Sequence, residues 1–288
     1  MSLYLSQFLH AWAYASILYL LALGLSLTFG VGRVLNLAHG GFYMLGGYAG
    51  YSILRSLDNF WLAVLLAPFV AMAVALVAER LVMRRFYGHG MEMHQILLTF
   101  GLAFVISDGI REVWGARILT VQAPELLRGT ADLGLFTFPR YRLFVIVVGI
   151  VVAVGLWALI NYTDAGVKIR AAAADGEIAE TLGVHTRRVL AMTFVAGVGL
   201  AAFGGVVAAP MQALAQGVDF QMLIMALIVV VIAGLGKLET VYWAALLVAL
   251  VEIFGRLFVP RAAIFLVFTL MALVLAFRPT GLFTPRSA

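Results

Sequence analysis

Residues 141–160 read YRLFVIVVGIVVAVGLWALI, and the one charge among them, Arg142, stands at the edge. A hydrocarbon core about 30 Å thick is crossed by roughly 20 helical residues rising about 1.5 Å each. A stretch of this length and character is a membrane span, with Arg142 able to reach an interface through its aliphatic stem. The pattern recurs on both sides of it. Stretches 8–31, 37–54, 60–82, 95–113, 189–209, 220–235, 240–259 and 263–277 complete a set of nine, with the second and the last pair the least sharply bounded. The expected fold is all-α: a polytopic helical membrane protein with eight or nine transmembrane helices.

Composition says the same. Of 288 residues, 64% are hydrophobic and 11% charged, against about 45–50% and 25% in soluble domains. The spans leave no room for a soluble catalytic domain, so one transmembrane domain, 1–288, is expected, not an enzyme. Two connections are longer, 114–140 and 161–188. The net charge of +5 comes from basic residues scattered between spans, which suits topology and anionic lipid and not nucleic acid. There is no cysteine, hence no disulfide and no thiolate metal site. Met1 to Gln7 lacks a basic signal region, so an uncleaved first span is expected. Arg80, Arg84 and Arg85, with Lys168, Arg170, Arg187 and Arg188, favour a cytoplasmic 161–188 loop and an external 114–140 loop, though the bias is modest. The breaks at Gly30-Val31-Gly32-Arg33 and Ala209-Pro210-Met211-Gln212 echo one another. Interrupted spans in two halves can mark an inverted-repeat core.

The polar residues inside this apolar chain are the functional candidates. Asn36 and His39, in Asn36-Leu37-Ala38-His39-Gly40-Gly41, would share a face of a continuous helix. Side chains of this kind are costly in a bilayer unless they meet protein or water. They either satisfy the backbone of a broken helix or line a pathway. Gly46 and Gly50 form a small-xxx-small pair that admits another helix closely. Gln95 and Thr99 lie one turn apart, suited to interior hydrogen bonding or to the same pathway. Gln212, Gln216, Asp219 and Gln221 read as a wet cluster near the outer surface, Gln212 and Gln216 as candidates for a mouth. Asp108 with Arg111, and Glu252 with Arg256, are spaced to neutralise one another near span ends.

The 161–188 loop holds a different signal. Asp175 can cap a short helix, Glu177 suits its N-terminal dipole, and Gly183 suits its end. Ile178, Ala179 and Leu182 would give it a small apolar face. Two turns are unstable alone, so this helix needs flanks or a partner. The chain lacks a phosphate-binding loop: Gly236-Lys237 has Val231 where the first glycine belongs and Leu238 in place of a hydroxyl. No metal site or cofactor is expected in the chain itself.

These segments, in order, resemble the permease subunits of bacterial ABC importers for branched-chain amino acids, of the LivH type. The resemblance rests on Leu27-Thr28-Phe29-Gly30-Val31 through Asn36-Leu37-Ala38-His39-Gly40-Gly41-Phe42-Tyr43-Met44-Leu45-Gly46. It extends to Thr99-Phe100-Gly101, Val113-Trp114-Gly115, Arg170-Ala171 through Asp175, Ala179 and Leu182-Gly183-Val184, and Gly234-Leu235-Gly236. It implies an inner-membrane, multi-pass permease with Asp175 to Gly183 as the coupling helix. It implies a second, LivM-like permease, two ATPase subunits that bind ATP and Mg, and an external binding protein. Related permeases carry urea, amides or aromatic acids, and a stand-alone ion-driven transporter is the reading from another class.

Overall fold

The computed structural model describes residues 2–33, 35–86, 91–134, 136–278 and 280–283. Among them the chain runs through α1 (Ser2–Gly32), α2 (His39–Leu57), α3 (Phe60–Leu81), α4 (Glu92–Trp114) and α5 (Arg140–Tyr162). It continues through α6 (Asp164–Ala174), α7 (Gly176–Thr181), α8 (Thr186–Ala208), α9 (Val218–Ala233), α10 (Val241–Phe258) and α11 (Ala263–Phe277). The expected all-helical membrane fold is observed, and every one of the nine apolar stretches is a helix. The 161–188 connection is itself helical, holding α6 and α7. The 114–140 connection folds a small antiparallel hairpin of β1 (Thr130–Asp132) and β2 (Thr137–Pro139).

Five helices, α1, α3, α5, α8 and α10, are long and apolar enough to cross a membrane unaided. The first is the axis of the molecule. Every residue of α1 from Ala15 to Leu27 is buried, as expected of a helix that is apolar all round and carries no polar face. Antiparallel α8 meets it where Gly24 and Gly197 face each other and Gly204 lies under Leu20. The α2 helix runs parallel to α8, with Gly46 against the Ala202 backbone and Gly50 against Val206. The third helix turns Ala63, Ala67, Ala71, Ala75 and Ala78 inward and leaves Leu65, Phe69 and Val77 exposed. Small residues inside and large ones toward lipid are the packing a membrane favours, because hydrocarbon gives apolar groups no reason to hide.

Two helices begin partway through the bilayer. His39, the first residue of α2, reaches the Leu21 carbonyl at 3.1 Å. Leu21 lies eleven residues before the end of α1, about 16 Å along the axis, near half the hydrocarbon thickness. Residues 35–38 therefore lie within the membrane before α2 starts. The same happens from the other side. After α8 ends, 209–217 returns inward, and α9 starts where a side chain on Gly40 would overlap the Asp219 carbonyl. The pairs α1–α2 and α8–α9 thus have opposite sense, which is the inverted arrangement the two sequence breaks pointed to. It explains the 16 residues of α9, too few to span.

The two faces of the molecule are set by what lies at them. At one, the hairpin face, Leu119 and Leu214 exchange backbone hydrogen bonds of 3.0 and 2.9 Å, so the 114–140 loop pins the returning segment. Trp114 donates to Ser52 Oγ at 2.6 Å there. At the other, the α7 face, lie the end of α1 and the starts of α4 and α8.

Gly46→Ala places a methyl group in α8 backbone, whereas the helical Gly101 has open space around it. Overpacking costs about 1–3 kcal/mol, and Gly→Ala in a free helix position gains up to about 1 kcal/mol. Thermal unfolding of the detergent-purified chain should show G46A melting below wild type and G101A at or above it.

Candidate translocation path

A cavity of about 520 Å³ opens at the α7 face, walled by Val31, Gly32 and Arg33 from α1 and its end, Gln95 from α4, and Asp175, Glu177 and Glu180 around α7. A narrower throat of about 30 Å³, lined by Thr28, Asn36, Gln95, Thr99 and Phe194, shares Gly32, Gln95 and Leu190 with it. The throat leads to the start of α2. The structure therefore brings Asn36 and Thr99 together on one recess and sets His39 immediately beyond it.

Each polar group there is partly satisfied. Asn36 is not helical, contrary to the expectation of a shared helix face with His39. It sits in the returning segment, where its Oδ1 accepts from the Ala38 amide at 3.0 Å. Thr99 is wholly buried. Its hydroxyl accepts from the Leu37 amide at 3.2 Å and donates to the Ile96 carbonyl at 3.0 Å. Gln95 donates to the Phe86 carbonyl at 2.6 Å. His39 Nε2 faces a carbonyl, so it carries the proton, and in the neutral ring Nδ1 is then an acceptor. Three buried atoms near this point have no partner: Asn36 Nδ2, His39 Nδ1 and Asp219 Oδ1.

The Gln212 cluster is divided by the fold. Gln212 donates to the Tyr43 hydroxyl, one turn past His39 on α2. Gln216 is exposed and apart from the recess. Asp219 is not a wet surface residue: it is buried in the first turn of α9, against Gly40. The spacing of charges gave no hint of this, because it assumed that α9 starts at the membrane surface. Glu252 and Arg256 do pair. Asp108 is exposed, and among the described residues no ion pair joins it to Arg111.

The short helix of the 161–188 connection is capped at both ends. Asp175 accepts from the amides of Glu177 and Ile178, both at 3.0 Å. At its end Gly183 adopts φ +85°, and Gly183 and Val184 donate to the carbonyls of Glu180 and Ala179, both at 3.0 Å. This is the paired arrangement that closes a helix on a left-handed glycine. The expected apolar stripe is split. Ala179 turns inward and is buried, while Ile178 and Leu182 are 59% and 78% exposed.

A helical bundle with a polar recess between broken helices has the build of a solute permease. The family comparison makes that specific: the chain belongs to the family described as the branched-chain amino acid transport system permease component, whose model matches residues 8–277. It is 26% identical to the high-affinity branched-chain amino acid transport system permease protein BraD of Pseudomonas aeruginosa, over 97% of this chain and 95% of that one. It is 25% identical to the LivH permease proteins of Salmonella typhimurium and Escherichia coli K12, over 97% of this chain and 95% of each. No solved structure matches it. The chain is a multi-pass inner-membrane protein of this transport class.

Thr99→Val keeps the shape of the side chain but strands the buried Leu37 amide. An unsatisfied buried donor costs about 1–3 kcal/mol. T99V should lower the melting temperature of the purified chain, and T99S should restore it.

Proposed function

We propose that this chain is one of two permease subunits of an ATP-driven importer for branched-chain amino acids. In this reading the α7 face is cytoplasmic and the hairpin face external. The second subunit is a LivM-like permease, two ATPase subunits bind ATP and Mg, and an external binding protein delivers the substrate at the hairpin face. Asn36, His39 and Thr99 line the path, with Gln212 next to it; Gln216 serves at the outer mouth.

One observation carries this reading: the cavity beside α7 and the throat adjoin. Asp175, Glu177 and Glu180 wall the cavity, Asn36 and Thr99 wall the throat, and Gly32, Gln95 and Leu190 line both. A partner that moved α7 would reshape the entrance to the path directly. Ile178 and Leu182, one turn apart and exposed, are the apolar contact such a partner needs. Alternating access then follows. Drawing the ATPases together would close the α7 face and separate the helices toward the hairpin face, where substrate enters; their release would restore the inward opening.

Burying a leucine side chain is worth about 1.5–3 kcal/mol, so Leu182→Glu should weaken ATPase attachment about 10- to 100-fold. Its exposure means that insertion and folding are not disturbed. Co-purification from the membrane in mild detergent, with leucine uptake in parallel, tests this. An ATPase that stays bound to L182E with uptake unchanged refutes the coupling role. The ion-driven alternative has a separate test, since it needs a titrating acid in the membrane. Uptake that persists in D108N and E252Q and stops on ATP depletion rules it out; the reverse pattern installs it.

A further inference from the structure

Asp219 is 6% exposed, its Oδ1 has no hydrogen-bond partner, and it forms no ion pair among the described residues. Removing a carboxylate from water costs several kcal/mol even after relaxation. The positive end of the α9 dipole recovers at most about 2 kcal/mol of that. A cation from outside the chain is the missing counterpart.

The adjoining helix start presents the opposite chemistry. Capped by neither a side chain nor an acidic first turn, α2 offers the Gly40 and Gly41 amides, which no carbonyl accepts among the described residues of the preceding segment. Asn36 Nδ2 is buried and unpartnered beside them. These are donors at a positive dipole end, the arrangement that favours an anion. The two sets meet where Gly40 touches the Asp219 backbone, with His39 Nδ1 as a further acceptor. A solute that carries an anionic and a cationic group on neighbouring atoms matches both. Urea and simple amides carry neither charge, and an aromatic acid carries one.

We propose that the junction of α2 and α9 is a headgroup filter for zwitterionic α-amino acids: Asp219 takes the ammonium, and Asn36 with the first amides of α2 takes the carboxylate. This rests on the reading of the chain as an amino-acid permease. The filter stands about midway through the bilayer and meets the throat at Asn36. It acts on the headgroup and leaves the side chain to the apolar surroundings.

The complete transporter, reconstituted in vesicles with its binding protein and ATP, provides the test. A hydrogen bond to a charged group is worth about 1.5–3 kcal/mol, so D219N should reduce leucine uptake about 10- to 100-fold, and D219E should recover most of it. Because the chain has no cysteine, Leu223→Cys, one turn past Asp219 and packed against Gly40, gives it a single thiol at the junction. Leucine at ten times its half-saturating concentration should slow modification of that thiol by 2-aminoethyl methanethiosulfonate about tenfold, and 4-methylpentanamide should not. If D219N fails to assemble, this protection decides. Full leucine uptake by D219N overturns the filter, and so does modification of the thiol at the same rate with and without leucine. Wild-type vesicles that take up no leucine would instead remove the amino-acid reading beneath it.

Discussion

The constraint that orders this molecule is that lipid offers no hydrogen bond to a broken helix. Irregular backbone at membrane depth survives only where protein or a water-filled recess encloses it. The chain breaks its helices twice, at 35–38 and at 209–217, and its packing answers those breaks. Asn36 and Thr99 take up the Ala38 and Leu37 amides of the first. Paired bonds between Leu119 and Leu214 hold the second. Between the two breaks α1, α2 and α8 approach closely on glycine, and Gly24, Gly46, Gly197 and Gly205 have no room for a side chain.

Breaking the helices there has a second consequence. Two helix starts, running in opposite directions, confront one another at Gly40 and Asp219. Each presents a partial positive charge of roughly half a unit, so the point where they meet is both polar and electrostatically unbalanced. A continuous bundle would have neither property. The recess below it shares Gly32, Gln95 and Leu190 with the cavity at α7. In the proposed mechanism a displacement of the six-residue α7 would reach the throat through these three residues. Both of its ends are capped, and Ala179 is anchored inward; this lets so short a helix move as a unit in place of unravelling.

Much of this was legible in the sequence. The spans followed from length and apolarity, α7 from Asp175 and Gly183, and the burial of Asn36 and His39 against protein from the cost of polar groups in lipid. What escaped had physical causes. Periodicity cannot give depth, so Asp219 read as a surface residue beside Gln212 and Gln216, although tertiary packing carries the start of α9 into the membrane. Nor does it resolve faces on a helix of six residues. Ile178 and Leu182 are a full turn apart and point together, but Ala179 is rotated by about 100° from Ile178 and faces the protein. Asn36 was assigned to a helix because an apolar run gives no sign of where helical hydrogen bonding begins.

The unsatisfied atoms at the junction are better understood as a requirement than as a flaw. Each buried polar atom without a partner costs about 1–3 kcal/mol, a loss that close glycine packing elsewhere can offset. A junction with every donor and acceptor paired internally would be more stable and would hold nothing else. In a conduit the resting energy must stay near that of the occupied state, or the solute would be either refused or retained. Asn36 and His39 each keep one atom bonded and one unpartnered, and Asp219 keeps Oδ1 unpartnered; in the proposed filter the bonded atoms hold the shape while the solute completes the pairing and then leaves.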